Sequence, residues 1–165
     1  MTQDSDSYPS GILAKIPGWG KVVGDYAETG CQGSCFISAE HLRPAAKMLL
    51  DEEFFIEAIS GVDLTEGLMI VYHFDRYDRP TRLALRVIVP HQAKNVPSIV
   101  DIFSGADWHE RECFDFFGVD FEGHPNLKPL LLPDDLGFNP LIKDQGRRSL
   151  YEIWPLKRLV DSPRT

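Results

Sequence analysis

The 165-residue chain lacks most of the residue patterns that mark a particular chemistry. Its three cysteines, Cys31, Cys35 and Cys113, are an odd number, and the first two miss the two-residue gap of a zinc or thioredoxin-type pair. They are expected as free thiols in a reducing compartment. No apolar run approaches the ~18–20 residues that span a bilayer, and residues 1–7 have neither the basic nor the apolar region of an export signal. Any membrane association is therefore expected to come through a partner. Positive charge is scarce as well: 17 Lys and Arg stand against 25 Asp and Glu, a net charge of -8, which argues against nucleic acid as a ligand. There is no glycine-rich phosphate loop after a strand, no Gly-x-Ser-x-Gly elbow and no cysteine cluster for iron and sulfur.

What is present is the composition of one globular domain, 43% hydrophobic and 25% charged. Residues 1–10 are polar and expected to be mobile; residues 11–118 carry alternating helix and strand patterns; residues 119–165 are proline-rich. Lys21 to Glu28 and Gly33 to Ile37 predict a strand hairpin. Ser38 is placed to cap a helix from His41 to Asp51, in which Leu42, Ala45, Ala46, Leu49 and Leu50 form one apolar stripe. Three β-rich runs, Phe54 to Val62, Leu68 to Phe74 and Thr81 to Val89, are joined by short turns and predict an antiparallel meander. In the last, Leu83, Leu85, Val87 and Val89 line one face, while Arg82 and Arg86 fall on the other. Pro97-Ser98 opens a predicted short helix to Phe103, and a second runs from Ala106 to Phe117 and stops at Gly118. The expected fold is α+β, an antiparallel or mixed sheet with helices packed on one side. An extended C-terminal segment follows, because prolines at 125, 129, 133, 140 and 155 disfavour long helices there.

The second helix carries the densest signal, Trp108-His109-Glu110-Arg111-Glu112-Cys113-Phe114-Asp115-Phe116-Phe117-Gly118. On a helical wheel Ala106, Cys113 and Phe117 share an apolar stripe with Glu110 inside it. A carboxylate there must find a cation and hydrogen bonds or raise its pKa. Arg82, Arg86 and Lys143 are the candidate cations. Arg111, Glu112 and Asp115 are expected to point outward, with Arg111 and Asp115 spaced as an intrahelical ion pair. A zinc protease would need a second histidine where Cys113 stands, and a looser metal site of His109, Glu112 and His124, serving a free-standing hydrolase, is the rival from another class.

Residues 97–144 resemble the 30-kilodalton subunit of respiratory complex I, the C subunit of NADH-quinone oxidoreductase. The family pattern Glu-Arg-Glu-x-x-Asp-x-x-Gly reads here as Glu110, Arg111, Glu112, Asp115 and Gly118. His-Pro-x-Leu reads as His124, Pro125 and Leu127, and Pro-Leu-Arg-Lys-Asp as Pro140, Leu141, Ile142, Lys143 and Asp144. Pro129 and Ile142 stand where the family usually has arginines, losing two bidentate donors. The resemblance implies an accessory core subunit of the hydrophilic arm of a proton-translocating complex, peripheral on the cytoplasmic face of the membrane. It would carry no catalytic residue and bind no redox centre of its own, while the assembled enzyme uses FMN, iron–sulfur clusters and quinone. Subunits D and B, which form the quinone pocket, are the implied partners, and the C-terminal segment is expected to dock on them. The same subunit type occurs in membrane-bound hydrogenases and in quinone reductases with other donors, which is the alternative reading.

Overall fold

The computed structural model describes residues 7–152. Its frame is a five-stranded sheet in the order β1-β2-β5-β4-β3, built from β1 (Trp19–Val23), β2 (Gly33–Ile37), β3 (Phe55–Leu64), β4 (Gly67–Asp75) and β5 (Leu83–Val89). The meander is present, with β3 antiparallel to β4 and β4 antiparallel to β5. β5 then pairs in parallel with β2, Cys35 opposite Leu85, so the sheet is mixed. Period-2 alternation sets the two faces. Leu83, Leu85, Val87 and Val89 face a core shared with Ile12 and Leu13 of α1 (Ser7–Lys15), Ile16 just after it, Leu42 and Leu49 of α3 (Ala39–Asp51), and Cys113 and Phe117 of α4 (Ala106–Phe117). The other face collects Phe36, Met69, Val71 and Ala84 in a smaller cluster. All three long helices thus lie on one side of an α+β fold.

Local chemistry explains where the structure departs from the sequence reading. Helix α1 already starts at Ser7, inside the stretch expected to be mobile; residues 1–6 lie outside the described residues. The first predicted strand ends at Val23 because Asp25 caps a single helical turn, α2 (Tyr26–Thr29), by accepting from the Ala27 amide at 2.9 Å. Ser38 does precede α3 in extended conformation, but its hydroxyl meets His41 Nδ1 at 2.7 Å instead of a helix amide, and Leu50 is exposed.

Ser98 to Phe103 forms turns and no helix. The Ser98 amide donates to Glu122 O, and the Ile99 amide to Glu110 Oε1. This also creates a two-stranded parallel pair that the sequence did not suggest, β6 (Asn95–Pro97) with β7 (Asp120–Glu122). Between Glu122 and Leu150 the chain is extended apart from turns, as its prolines require, and the described part closes with a 3₁₀ turn, Leu150–Glu152. Through that turn it lies on its own domain. Among the described residues no helix is long and apolar enough to cross a membrane.

Candidate functional site: a clamp built on helix α4

Helix α4 packs against the edge strand β3, and Gly61 makes the approach possible: a Cβ there would sit 2.6 Å from the Phe117 ring. Glu110 points into the core and is fully buried. Its Oε2 accepts from the Ser98 hydroxyl at 2.6 Å and its Oε1 from the Ile99 amide at 2.8 Å. Among the described residues no cation pairs with it. Arg82 and Arg86 lie on the opposite face of the sheet, where Arg82 pairs with Glu57 and Arg86 stacks over the Phe36 ring at 5.9 Å, and the Lys143 side chain is exposed. Arg43 contributes a favourable field, but its guanidinium is bidentate to Asp101. Burial therefore dominates the two hydrogen bonds and pushes the Glu110 carboxyl up to about 7. The expected buried ion pair is replaced by a neutral-leaning acid that bolts α4 to the 98–100 turn.

Arg111 and Asp115 are not paired with each other either. Arg111 donates through Nε to Lys128 O at 3.0 Å and through Nη2 to Pro129 O at 2.8 Å. Asp115, expected to point outward, is 4% exposed, and one of its oxygens accepts the amides of Leu130, Leu131 and Leu132 at 2.8, 2.8 and 3.2 Å. The two side chains, one turn apart, thus hold five consecutive residues, the first two by their carbonyls and the next three by their amides.

The end of α4 is stitched to the same segment. Its last four carbonyls would be orphans in an isolated helix. Here Asn139 Nδ2 donates to Phe114 O and Asp115 O, the Leu141 amide to Phe116 O, and Lys94 Nζ to Phe117 O. Gly118 closes the helix at φ 68°, and a Cβ there would meet Asn139 Oδ1 at 2.4 Å. Arg111, Asp115 and Gly118, at i, i+4 and i+7, are one stripe of the helix and one clamp.

Two further anchors were not legible as such. The side chain of Asp63, at the end of β3, is wholly buried and accepts from the Lys143 amide (2.7 Å), Arg147 Nε (2.9 Å) and His91 Nε2 (2.7 Å). Burial opposes its charge, but these donors outweigh that cost and hold the carboxyl below its ordinary range. Glu66 at the hairpin tip accepts from the Ser149 hydroxyl and the Leu150 amide. An aspartate closing an apolar strand was the available sign, yet the same residues read equally well as a turn.

The side chain of His124 is buried and receives the Asn126 amide on Nδ1 (3.0 Å), which makes Nε2 the protonated nitrogen that donates to Asp107 O (3.2 Å). It ties the chain after β7 to the first turn of α4, and so does not join His109 and Glu112 in a metal site. No group of three His, Cys, Asp or Glu side chains suited to a metal occurs among the described residues. Pro125 and Asp144 are exposed, and Leu127 packs at the edge of the core. Ile142, at one of the missing arginines, packs against the main core, so its apolar side chain fits the place it occupies. Pro129, at the other, contributes its carbonyl to Arg111.

The arrangement fastens residues 128–141 to helix α4 as a strap. That is the context in which the likeness to known proteins decides identity. A family model described as the 30 Kd subunit of respiratory-chain NADH dehydrogenase matches residues 35–150, from β2 through the last anchor. The chain belongs to this family. The C subunit of the F(420)H(2) dehydrogenase of Methanosarcina mazei is 43% identical over 101 residues, 59% of this chain and 60% of that protein. The C subunits of the NADH-quinone oxidoreductases of Chloroherpeton thalassium and a Nocardioides species are 38% identical over 99 residues and 40% over 113. They cover 59% and 64% of this chain and 41% and 45% of those proteins. This chain thus spans between 41% and 60% of the length of these curated relatives. Among solved structures, the trypsin-resistant fragment of Nqo5 superposes with TM-score 0.60 at 25% identity, over 74% of this chain and 98% of that one. A chain of the membrane-bound sulfane sulfur reductase, an archaeal respiratory membrane complex, gives 0.73 at 27%, over 86% and 85%.

Proposed function

We propose that the chain is a scaffold subunit in the hydrophilic arm of a membrane-bound quinone reductase of the complex I type. It holds the quinone-pocket subunits D and B in register on the cytoplasmic face while flavin, iron–sulfur clusters and quinone are bound by other subunits. The observation that carries the reading is the use of the signature residues. Arg111, Asp115, Gly118 and Asn139 lock residues 128–141 onto α4, and the locked strap presents Leu131, Phe138 and Leu141 outward. Phe138 is 63% exposed on a backbone pinned on both sides. Rigid, apolar, exposed side chains are what a permanent interface desolvates, and fixed neighbours are what electron transfer to quinone needs.

Co-expression with subunits D and B tests this. The wild-type chain is expected to co-purify with them in equal amounts, and L131D/F138D to be lost from the complex while remaining folded. Retention of that variant would refute the interface.

The electron donor has two readings. NADH follows from the family description, whereas a different donor is favoured by the 43% identity to an F(420)H(2) dehydrogenase subunit and the likeness to the sulfane sulfur reductase chain. Quinone reduction by the assembled complex, assayed in parallel with NADH and with a reduced deazaflavin, separates them.

A further inference from the structure

Beside the Gly61–Phe117 contact, the space between the edge strand β3 and helix α4 opens into a groove of about 210 Å³, lined by Ile59, Phe116 and Leu141 together with Glu112. Glu112 differs from the other acids of the helix's second half. Glu110 is held by Ser98 and Ile99, and Asp115 by three amides, but Glu112 has no hydrogen bond or ion pair among the described residues. Basic groups of the same region are engaged elsewhere: Arg111 is bound to the carbonyls of Lys128 and Pro129, and Lys94 at the end of the helix to Phe117 O.

An apolar segment laid into this groove would strip water from a carboxylate and leave it unpaired, which is strongly unfavourable, and an acidic segment would be repelled. A side chain with a long apolar stem and a positive head satisfies both the walls and the carboxylate. The chain's net charge of -8 favours a basic partner in the same way. We propose that this groove is the seat of one arginine or lysine side chain from a partner subunit, its stem along Phe116 and Leu141 and its head paired with Glu112. Arginine fits better, because its planar fork can engage both carboxylate oxygens. The inference rests on the scaffold reading and adds to it a defined contact.

Binding of the full chain to co-expressed subunits D and B is the test, with wild type, E112Q and E112K compared. Unchanged circular dichroism and unfolding midpoints confirm that the variants are folded. E112K is expected to weaken binding by about 100-fold, the scale for breaking one desolvated charge pair, and E112Q by less. Reversing the exposed Lys and Arg residues of D and B to Glu, one at a time against E112K, should find one that restores binding to within about tenfold of wild type. E112K binding as tightly as wild type, or weakened binding that no single reversal restores, overturns the paired cation. A wild-type chain that binds neither subunit overturns the scaffold reading itself.

Discussion

Replacing Glu110 by glutamine should make the protein more stable at pH 8 and leave it nearly unchanged at pH 4. The carboxyl has an ordinary value of 4.5 and sits at about 7 in the folded chain because burial disfavours its charge. A raised carboxyl pKa means that the folded state binds the proton more tightly than the unfolded state. The stability it contributes is fully present below 4.5 and is lost as pH rises through 7. The interval of about 2.5 units, at ~1.4 kcal/mol per unit, corresponds to roughly 3 kcal/mol. Glutamine retains both contacts, its carbonyl accepting from the Ile99 amide and its amide donating to Ser98 Oγ, without a charge to desolvate. Urea unfolding of wild type and E110Q at half-unit steps from pH 4 to 8.5 reads the difference directly, other titrating groups being common to both. E110Q should gain about 3 kcal/mol over wild type between pH 4.5 and 7.5, then level off. A difference independent of pH would refute the buried-acid account, and a wild type that gains on E110Q with rising pH would mean that a cation stabilises the carboxylate after all.

The clamp makes further predictions. Asp115→Ala leaves the Leu130, Leu131 and Leu132 amides without their acceptor and should cost about 2–4 kcal/mol in urea unfolding, with faster proteolytic cleavage between 128 and 139. Gly118→Ala combines a φ of 68° with a Cβ 2.4 Å from Asn139 Oδ1 and should cost about 2 kcal/mol, shown by a lower thermal midpoint. Asp63, held below its ordinary 3.8, stabilises the fold above that pH and loses this contribution as pH falls through its folded value. Asp63→Asn should therefore be less stable than wild type at pH 6 but show a shallower loss on the acid side, followed by fluorescence between pH 5 and 2.

Strong periodicity made the frame legible: the three-strand meander, the Leu83–Val89 alternation and helix α4 with its Gly118 stop appear where the pattern put them. Pairings between distant segments were not legible, because register across β2 and β5, or β6 and β7, is set by packing and not by local propensity. The signature helix shows the same limit at the level of side chains. The wheel correctly buried Glu110, yet it treated Arg111 and Asp115 as each other's partners, although both are used by backbone groups up to 18 residues away. Backbone carbonyls and amides carry no sequence signal, so a clamp that grips main chain looks like a solvated charged face until the strap is seen lying on it. Of residues 119–165, expected from the sequence to dock on partner subunits, residues 153–165 lie outside the described residues.

The central claim, that the chain positions others and reacts with nothing, is tested most directly by reconstitution. Membranes from a strain lacking this chain should retain donor oxidation with an artificial acceptor but lose quinone reduction, and stoichiometric addition of the purified chain, free of flavin and iron, should restore it. Full quinone reduction without the chain, or restoration only by a chain that brings its own redox centre, would contradict the account.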